Sequence, residues 1–236
     1  LLIISIAIPL CVTGYFGYTT ASQSLYNNAI EKQTDEMNSL SEKIIFQLQE
    51  VPKDLRFLSE FYIMERYLQW TKLNESKKIT LWRHAISNSF ISFLESKQNY
   101  LQLRFINASG IEEIRVDYNG SGLISSKPTS QLQDKSNTKY FQQSILLEAR
   151  QFYFSSMELN QEHGQVSKPL MPVIRIATPV IDDNGVKRGI LVLNMRGEAL
   201  LDTLRASKIN SPLNKILLTN EQGHYLFQSN REKTSS

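Results

Sequence analysis

The sequence predicts an α+β protein in which a long helical N-terminal part precedes an antiparallel sheet. Apolar residues recur at helical spacing over residues 22–96, and from Tyr100 onward they alternate with polar residues as in strands. Two hairpin signals follow, and the second contains an Asn184-Gly185 turn. With 236 residues, 41% of them hydrophobic and 21% charged, the chain is long enough to form one or two hydrophobic cores.

The first segment, residues 1–18, carries no charged side chain and would extend roughly 27 Å as a helix, close to the thickness of a bilayer core. We therefore expect residues 1–21 to be a transmembrane helix that is truncated at its N-terminus. The first Lys or Arg after it is Lys32, which favours an outward-facing location for the following chain. The alternative is a cleaved signal peptide that ends at Thr19-Thr20-Ala21.

Residues 22–50 predict a stalk helix, because their apolar residues form one stripe at helical spacing. One interpretation is a signalling helix that forms a homodimer, and the alternative is a helix that packs on its own domain. Pro52 is expected to interrupt the pattern before a second helix, and a third helix is expected at about residues 79–96. The apolar positions are Leu25, Ile30, Met37, Leu40, Ile44 and Leu48 in the stalk, and Leu55, Leu58, Tyr62 and Leu68 in the second helix.

The first hairpin is predicted by the segments YLQLRFIN and IEEIRVDY, which are joined by the turn NASG. Because side chains alternate between the two faces of a sheet, these strands separate an apolar face from a polar one. The polar face is either a solvated side on which Arg104 pairs with Glu113, or a binding surface. The apolar face comprises Leu101, Leu103, Phe105, Ile114, Val116 and Tyr118, and the polar face comprises Tyr100, Gln102, Arg104, Glu113, Arg115 and Asp117.

Residues 119–139 are rich in Gly, Ser, Asn, Gln and Lys and are expected to form a loop. A short helix around residues 140–149 and a brief strand at residues 152–155 should follow. Beyond the second hairpin, a helix is expected near residues 198–207, and NKILLTNEQGHYLFQS predicts a third strand-turn-strand unit. One hairpin is too little sheet to be stable by itself, so we interpret residues 209–236 as the start of a second domain.

The second hairpin, PVIRIATPVI-DDNG-VKRGILVLNM, is largely apolar on both faces, so both faces should be covered. Arg175 shares one of these faces with Asn194. An unpaired guanidinium there would cost several kcal/mol, so Arg175 has to meet an acid, carbonyl groups or a bound anion. An internal ion pair with Asp117 or a similar residue and a ligand contact both remain open. If both hairpins belong to one sheet, a small ligand with a carboxylate or phosphate would be surrounded by Arg104, Arg115, Asp117, Arg175 and Asn194.

Several classes of function lack support in the sequence. The formal net charge is +3 without a basic block, so no nucleic-acid partner is expected. Cys11 is the only cysteine, so neither an internal disulfide nor a thiolate metal site is predicted. His84, His163 and His224 are scattered, and no nucleophile, metal-binding or phosphate-binding motif accompanies them. We therefore predict no catalytic residue, no metal and no cofactor.

Five segments follow one another in an order that is familiar from one protein family: YLQLRFINASGIEEIRVDY, LQDKSNTKYFQQS, FYFSSMELNQEHG, KPLMPVIRIATPVIDDNGVKRGILVLNM and ILLTNEQGHYLF. They resemble the extracytoplasmic double-Cache, or PAS-like, sensor domains of bacterial histidine kinases and diguanylate cyclases, over roughly residues 22–228. The resemblance implies a membrane-distal PAS-like domain at residues 51–208 that holds the ligand. Residues 209–236 would begin a membrane-proximal PAS-like domain, in a receptor of the bacterial inner membrane whose sensor faces the periplasm or the exterior.

By this resemblance, the pocket would involve the strand Glu112–Tyr118, residues 135–141 and the strand that bears Arg175. Amino-acid-binding Cache domains carry an Arg-x-Trp-Tyr pattern where this chain has Thr138-Lys139-Tyr140-Phe141. Because the arginine and the tryptophan are absent, amino acids are not the expected ligand class, and Lys139 is a substitute partner for an anion. Lys139 and Tyr140 therefore join the predicted ligand-binding residues.

These observations together predict the sensor region of a bacterial transmembrane receptor, of the kind found in two-component systems or joined to a diguanylate cyclase. The region would bind a small polar or anionic ligand and pass a helix displacement through the membrane. Any catalytic activity would belong to a cytoplasmic part outside this sequence. The alternatives are a docking module for a periplasmic binding protein and a secreted enzyme with an unrecognised site.

Overall fold

Three helices come first in the computed structural model, which describes residues 2–118, 122–162, 164–168, 170–207, 216–219 and 225–228. They are α1 (Leu2–Ser59), α2 (Tyr62–Lys72) and α3 (Ser76–Ser96). The chain then enters an antiparallel sheet at Tyr100, where the alternating pattern begins. The predicted order of a helical N-terminal part followed by a sheet is therefore confirmed.

Helix α1 continues through Pro52, so the predicted interruption at this residue is wrong. A proline inside a helix removes one backbone hydrogen bond and costs about 3 kcal/mol. Here Val51 and Leu55 are fully buried, and Leu58 is only 3% exposed. Because burying each of these side chains contributes about 1.5–3 kcal/mol, their packing in the main core offsets the cost and keeps the helix continuous to Ser59.

The part of α1 before Leu40 is largely exposed, including Leu25, Ile30 and Met37 of the predicted stalk. Leu40 itself is buried in a cluster with Leu201, so the stalk packs on its own domain from this residue onward. Among the residues that are described, no helix has an apolar stretch long enough to cross a bilayer. The transmembrane segment expected at residues 1–21 stays a prediction.

Both predicted hairpins form, and they belong to one seven-stranded sheet. Its order is β3-β2-β1-β9-β8-β4, and β5 also pairs with β8. The strands are β1 (Tyr100–Asn107), β2 (Glu112–Tyr118), β3 (Ile124–Ser126), β4 (Tyr153–Phe154), β5 (Glu158–Leu159), β6 (Gln161–Glu162), β7 (Gln165–Val166), β8 (Pro172–Ile181), β9 (Lys187–Arg196), β10 (Leu217–Thr219) and β11 (Tyr225–Gln228), and the helices that follow α3 are α4 (Lys139–Ser144) and α5 (Gly197–Arg205).

The predicted loop over residues 119–139 contains regular structure. Strand β3 pairs with β2, and a short 3-10 helix spans Thr129–Gln131. A polar segment can supply an edge strand because its backbone hydrogen bonds do not require apolar side chains on both faces. Helix α4 is also shorter than predicted and ends at Ser144. The brief strand near residue 153, helix α5 and the third hairpin, β10 with β11, are confirmed.

The two faces of the sheet have different coverings. One face packs against α1, α2 and α3 and forms the main core, and the other is covered at its centre by α4. The prediction that both faces of the second hairpin are covered is therefore confirmed. The main core includes Leu103, Phe105, Val116, Ile176, Leu191 and Leu193 of the sheet, and the other face joins Ile106, Ala177, Ile190 and Val192 to Tyr140 and Phe141 of α4.

A β-bulge in the first hairpin changes which acid faces Arg104. Phe105 pairs with Ile114, but the next residue, Ile106, pairs with Glu112, so Glu113 is an additional residue on β2. The predicted pair of Arg104 with Glu113 is therefore wrong, and Arg104 Nη1 lies 3.2 Å from Glu112 Oε1 instead. Glu113 turns to the helical side, where its Oε2 accepts a 2.6 Å hydrogen bond from the hydroxyl of Tyr67.

Tyr100 also departs from its predicted position on the polar face. A register shift separates it from Gln102 in the β1–β9 ladder. Its ring stacks on Phe93 of α3, and its hydroxyl donates a hydrogen bond to Asp54 of α1. Tyr100 therefore fastens the start of the sheet to the helices and lies away from the face that carries Arg104.

Candidate functional site

A pocket of about 270 Å³ lies on the face of the sheet opposite the N-terminal helices. Strands β1 and β8 form its floor, the start of α4 forms one wall, and the segment after β4 forms the other. It is lined by Arg104, Lys135, Thr138, Lys139, Tyr140, Tyr153, Ser155, Glu158, Asn160, Gln161, Gly164 and Arg175.

Arg104 is a buried cation whose charge is fixed by its neighbours. Its Nη1 donates to Glu112 at 3.2 Å and to the Tyr140 hydroxyl at 3.1 Å, and its Nη2 donates to Asn194 Oδ1 at 3.1 Å. Burial opposes the charged form, but Tyr140 and Glu112 raise the pKa of Arg104 above its ordinary value. Arg104 therefore contributes a permanent positive charge to the floor of the pocket.

Arg175 is 7% exposed, and its only ion pair among the described residues is with Glu158, whose Oε2 lies 2.7 Å from Nη1. Its guanidinium lies 5.7 Å from the centre of the Tyr140 ring, and that of Arg104 lies 5.3 Å from the same centre. Burial and the nearby charge of Arg104 lower the pKa of Arg175, and Glu158 opposes this effect. Two guanidinium groups on one ring make this region favourable for an anion.

Two lysines add to the positive charge of the pocket. Lys135 is 8% exposed, and its Nζ donates to Gln133 Oε1 at 2.7 Å. Burial and the charge of Arg104 lower the pKa of Lys135. Lys139 is exposed at the rim. Among the described lining residues, these lysines and the two arginines face a single carboxylate, that of Glu158.

A second set of charged side chains, one arginine with two carboxylates, lies beside the pocket. Arg115 holds Asp117 through two nitrogens, with Nη2 at 2.8 Å and Nε at 2.9 Å, and its Nη2 also lies 2.8 Å from Glu162 Oε1. Burial alone would raise the pKa of Glu162, but its hydrogen bond from Arg115 and the charge of Arg115 lower it to about 2. Asn194 accepts from Arg104 and donates to Gln102 Oε1 at 3.1 Å, and Gln102 in turn donates to Asp117. These two side chains connect the set to Arg104.

The seven predicted ligand-binding residues divide into two groups. Arg104, Lys139, Tyr140 and Arg175 line the pocket, whereas Arg115, Asp117 and Asn194 do not. The arginine and the aspartate of the second group pair with each other, and the asparagine lies on β9, between β1 and β8. The alternative of an internal ion pair for Arg175 is present in the structure, with Glu158 as the acid, whereas Asp117 pairs with Arg115. That the first group contacts a ligand stays a prediction.

Sequence reasoning missed Lys135, Tyr153, Glu158 and Asn160 as lining residues. Lys135 lies in the segment that the family resemblance had indicated, and its positive charge was the available signal. Glu158 had no comparable signal, because it lies in β5, a strand of only two residues. Its position opposite Arg175 depends on the pairing of β5 with β8, which no local pattern predicts.

A larger groove, of about 780 Å³, lies near the ends of α1 and α2 and the turn between β8 and β9. Its cations are balanced by acids, as in the 3.0 Å pair of Arg150 Nε with Glu60 Oε1. We therefore favour the smaller pocket, whose charge is strongly one-sided. His84 is exposed on α3, and His163 and His224 lie outside the described residues. Within the described ranges, no group of three His, Cys, Asp or Glu side chains is placed to hold a metal ion.

Solved structures of sensory domains share this fold. A domain described as belonging to a sensory box/GGDEF family protein of Vibrio parahaemolyticus is 22% identical, with a TM-score of 0.68 over 84% of this chain and 70% of that one. The extracellular domain described as that of the histidine kinase vpHK1S-Z8 is 21% identical, with a TM-score of 0.69 over 88% and 70%. The sensory domain of the Campylobacter jejuni chemoreceptor Tlp3, with isoleucine bound, is 13% identical, with a TM-score of 0.66 over 88% and 74%.

The sequence itself is similar to one family model. No curated protein matches the chain significantly. The model described as the sensor domain of bacterial histidine kinases matches residues 56–235, which include α2, α3, the whole sheet and the pocket. The chain therefore belongs to the family of bacterial histidine kinase sensor domains.

Proposed function

We propose that this sensor domain binds a small polar or anionic ligand in the pocket between the sheet, α4 and the segment after β4. The observation that carries the proposal is Arg175, a cation with 7% exposure that lines this pocket. A buried guanidinium needs a counter-charge, and its partner Glu158 has a side chain that is 48% exposed. An anion that enters the pocket would satisfy Arg175 while being removed from water itself.

The charge balance of the pocket supports an anionic ligand. Arg104 already has a fully buried partner in Glu112. Lys139 and Lys135 add two further cations near the opening, so a negative group would be attracted before it reaches the floor. The Tlp3 sensory domain was solved with isoleucine bound, a ligand with one carboxylate and one ammonium group. In this chain, the excess of cations favours a ligand with net negative charge.

The signalling role follows from the family. We propose that residues 1–21 anchor the chain in the bacterial inner membrane, and that the sensor faces the periplasm or the exterior. The exposed apolar side chains of α1 before Leu40 would form a homodimer contact. A ligand changes the output only if it binds one of two conformations more tightly, so the pocket has to be coupled to α1. The kinase or cyclase activity would belong to a cytoplasmic part.

The proposal is tested by thermal unfolding of the full chain with succinate, phosphate or isoleucine at constant ionic strength. A ligand at 100 times its Kd stabilises the folded state by about 2.7 kcal/mol, which raises Tm by about 5–10 °C for a protein of this size. We expect succinate or phosphate to produce such a shift in the wild type. Arg175→Gln should abolish it, and Lys139→Gln, an exposed change, should reduce it.

The matched control is Arg188→Gln on the same hairpin, because Arg188 pairs with Asp182 at the turn, with Nη2 and Oδ2 2.6 Å apart, and does not line the pocket. This variant should keep the full shift. If succinate and phosphate stabilise Arg175→Gln and Lys139→Gln as strongly as the wild type, the pocket is not the anion site. If neither anion shifts the wild type, the proposed ligand class is wrong.

A further inference from the structure

Glu158 occupies the position on Arg175 that an incoming ligand would need. We infer that the ligand carries a carboxylate, that this group displaces Glu158 from Arg175, and that the displacement loosens the strap, defined as residues 155–162. The inference rests on the proposed anion site and names both the ligand class and the part that moves. Arg175 faces one carboxylate before and after the exchange, because the ligand's carboxylate takes the place of Glu158. The Glu158 side chain moves into water.

The contact between Glu158 and Arg175 is suited to exchange. The Arg175 side chain is 8% exposed, whereas that of Glu158 is 48% exposed, so the acid can leave without the arginine moving. Strand β5 pairs with β8 only at Glu158 and Leu159. Because the Glu158 carboxylate is in contact with water, solvent screens its attraction to Arg175. A ligand carboxylate that is enclosed in the pocket can therefore compete for Arg175.

The far end of the strap is held more firmly. Glu162 Oε1 lies 2.8 Å from Arg115 Nη2, and Glu162 Oε2 accepts a 2.9 Å hydrogen bond from Gln133 Nε2. Arg115 is also bound by Asp117 and does not line the pocket, so a ligand on Arg175 leaves this end in place. The expected movement is therefore confined to the part of the strap nearest β5.

Met157 connects this part of the strap to the N-terminal helix. It packs against the main core and also against the cluster of Leu40, Leu201, Leu204 and Ile216, which joins α1 to α5. Its Sδ would lie 3.1 Å from a Cβ built on Gly197, the first residue of α5, so the contact there is close. Because Met157 precedes Glu158 in the chain, release of Glu158 would shift Met157 and change the packing between α5 and α1.

A carboxylate fits this exchange better than a phosphate does. The oxygen of Glu158 already lies at a charge-assisted hydrogen-bond distance of 2.7 Å from Nη1, and a planar carboxylate reproduces that contact. A phosphate would bring a tetrahedral group, which does not reproduce this planar contact, into a pocket of about 270 Å³. Comparison of succinate with phosphate therefore separates the two classes of anion.

The experiment measures binding of succinate and phosphate by calorimetry to the full chain and to Glu158→Gln. Loss of the internal competitor should tighten succinate binding about fivefold, which corresponds to about 1 kcal/mol. Glu148→Gln is the matched control, because Glu148 has a side chain that is 76% exposed and pairs with Lys187 outside the pocket. It should leave the Kd for succinate unchanged. Phosphate should bind more weakly than succinate to both proteins.

Two outcomes overturn the inference and leave the anion site intact. Either succinate binds Glu158→Gln with unchanged or weaker affinity, or phosphate is the tighter ligand. If Arg175→Gln binds succinate as tightly as the wild type, or if no protein binds either anion, the proposed pocket fails as well.

Coupling through Met157 is tested separately by hydrogen exchange of the full chain. Succinate should speed exchange in the strap near Glu158 and in α5 of the wild type. In Met157→Ala, the change in α5 should disappear while the change in the strap remains. An undiminished response of α5 in this variant would contradict the coupling.

Discussion

Replacement of Glu112 by Gln tests the buried charge network beneath the pocket. The Glu112 side chain is fully buried, and its carboxylate accepts from Arg104 Nη1 at 3.2 Å and from the backbone N–H of Gln133 at 3.0 Å. Arg115 Nη1 also lies 3.8 Å away. A glutamine has one accepting oxygen, so its amide nitrogen would face one of these donors. Arg104, whose side chain is only 4% exposed, would lose its charged partner.

The size of the loss follows from these contacts. Removing one partner of a buried ion pair costs about 3–5 kcal/mol, and about 3 is expected here because Tyr140 and Asn194 still accept from Arg104. For a chain of this length, that corresponds to a fall in Tm of about 6–12 °C. Glu113→Gln is the matched control on the neighbouring residue. Glu113 accepts only neutral donors among the described contacts, Tyr67 and Asn107, so a loss of about 1 kcal/mol is expected.

Thermal unfolding of both variants, followed by circular dichroism, shows which of the two acids is the charged partner of Arg104. The bulge predicts that Glu112→Gln loses several times more stability than Glu113→Gln does. Equal losses, or a larger loss for Glu113→Gln, would refute the argument, since Arg104 would then depend on the acid that simple alternation predicts. A fall of less than 3 °C for Glu112→Gln would show that Arg104 is satisfied without it.

Two further perturbations test the strap and the sheet. The pKa of Glu162 is lowered from 4.5 to about 2 in the folded state, so its stabilisation is complete above pH 4.5 and is lost as the pH falls towards 2. The full shift corresponds to about 3 kcal/mol, and since 28% of the side chain is exposed, screening reduces this to about 1–2 kcal/mol. Urea unfolding should show Glu162→Gln less stable than the wild type by this amount at pH 7, and a difference that is undiminished at pH 2.5 would contradict the assignment. Gly189→Ala should lower Tm by about 6–12 °C, because Gly189 has a φ of +156° and an added Cβ would lie 2.1 Å from the carbonyl oxygen of Ile106; an unchanged Tm would refute this.

The second hairpin shows what local sequence predicts well. Its two strands are apolar over most of their length, and Asn184-Gly185 marks the turn. The observed ladder pairs Arg175 with Asn194 and Ala177 with Val192, so the predicted partition of its faces is correct. The burial of Arg175 follows from the same partition, because its neighbours on that face are aliphatic. A register shift between Val180 and Ile181, next to the turn, leaves the predicted partition of the rest of the hairpin unchanged.

In the first hairpin, the local sequence does not predict the bulge on β2. Glu112 and Glu113 are adjacent acids, so the sequence places an acid on the polar face of β2 whether or not the strand contains an additional residue. The continuity of α1 through Pro52 likewise depends on the burial of Val51 and Leu55 against a sheet that forms far along the chain. Both features result from tertiary packing, and local propensities contain no information about them.

The position of the candidate site follows from how acids are distributed among three buried arginines. Arg104 has Glu112, which is fully buried, and Arg115 has Asp117, whose side chain is 15% exposed. Among the described residues, the acid paired with Arg175 is Glu158, which is half exposed and lies on a short edge strand. All three guanidinium groups need a counter-charge, but only that of Arg175 has a partner that water can replace easily. The same fold therefore gives two cations buried or nearly buried partners, and we propose that the third selects between Glu158 and a dissolved anion.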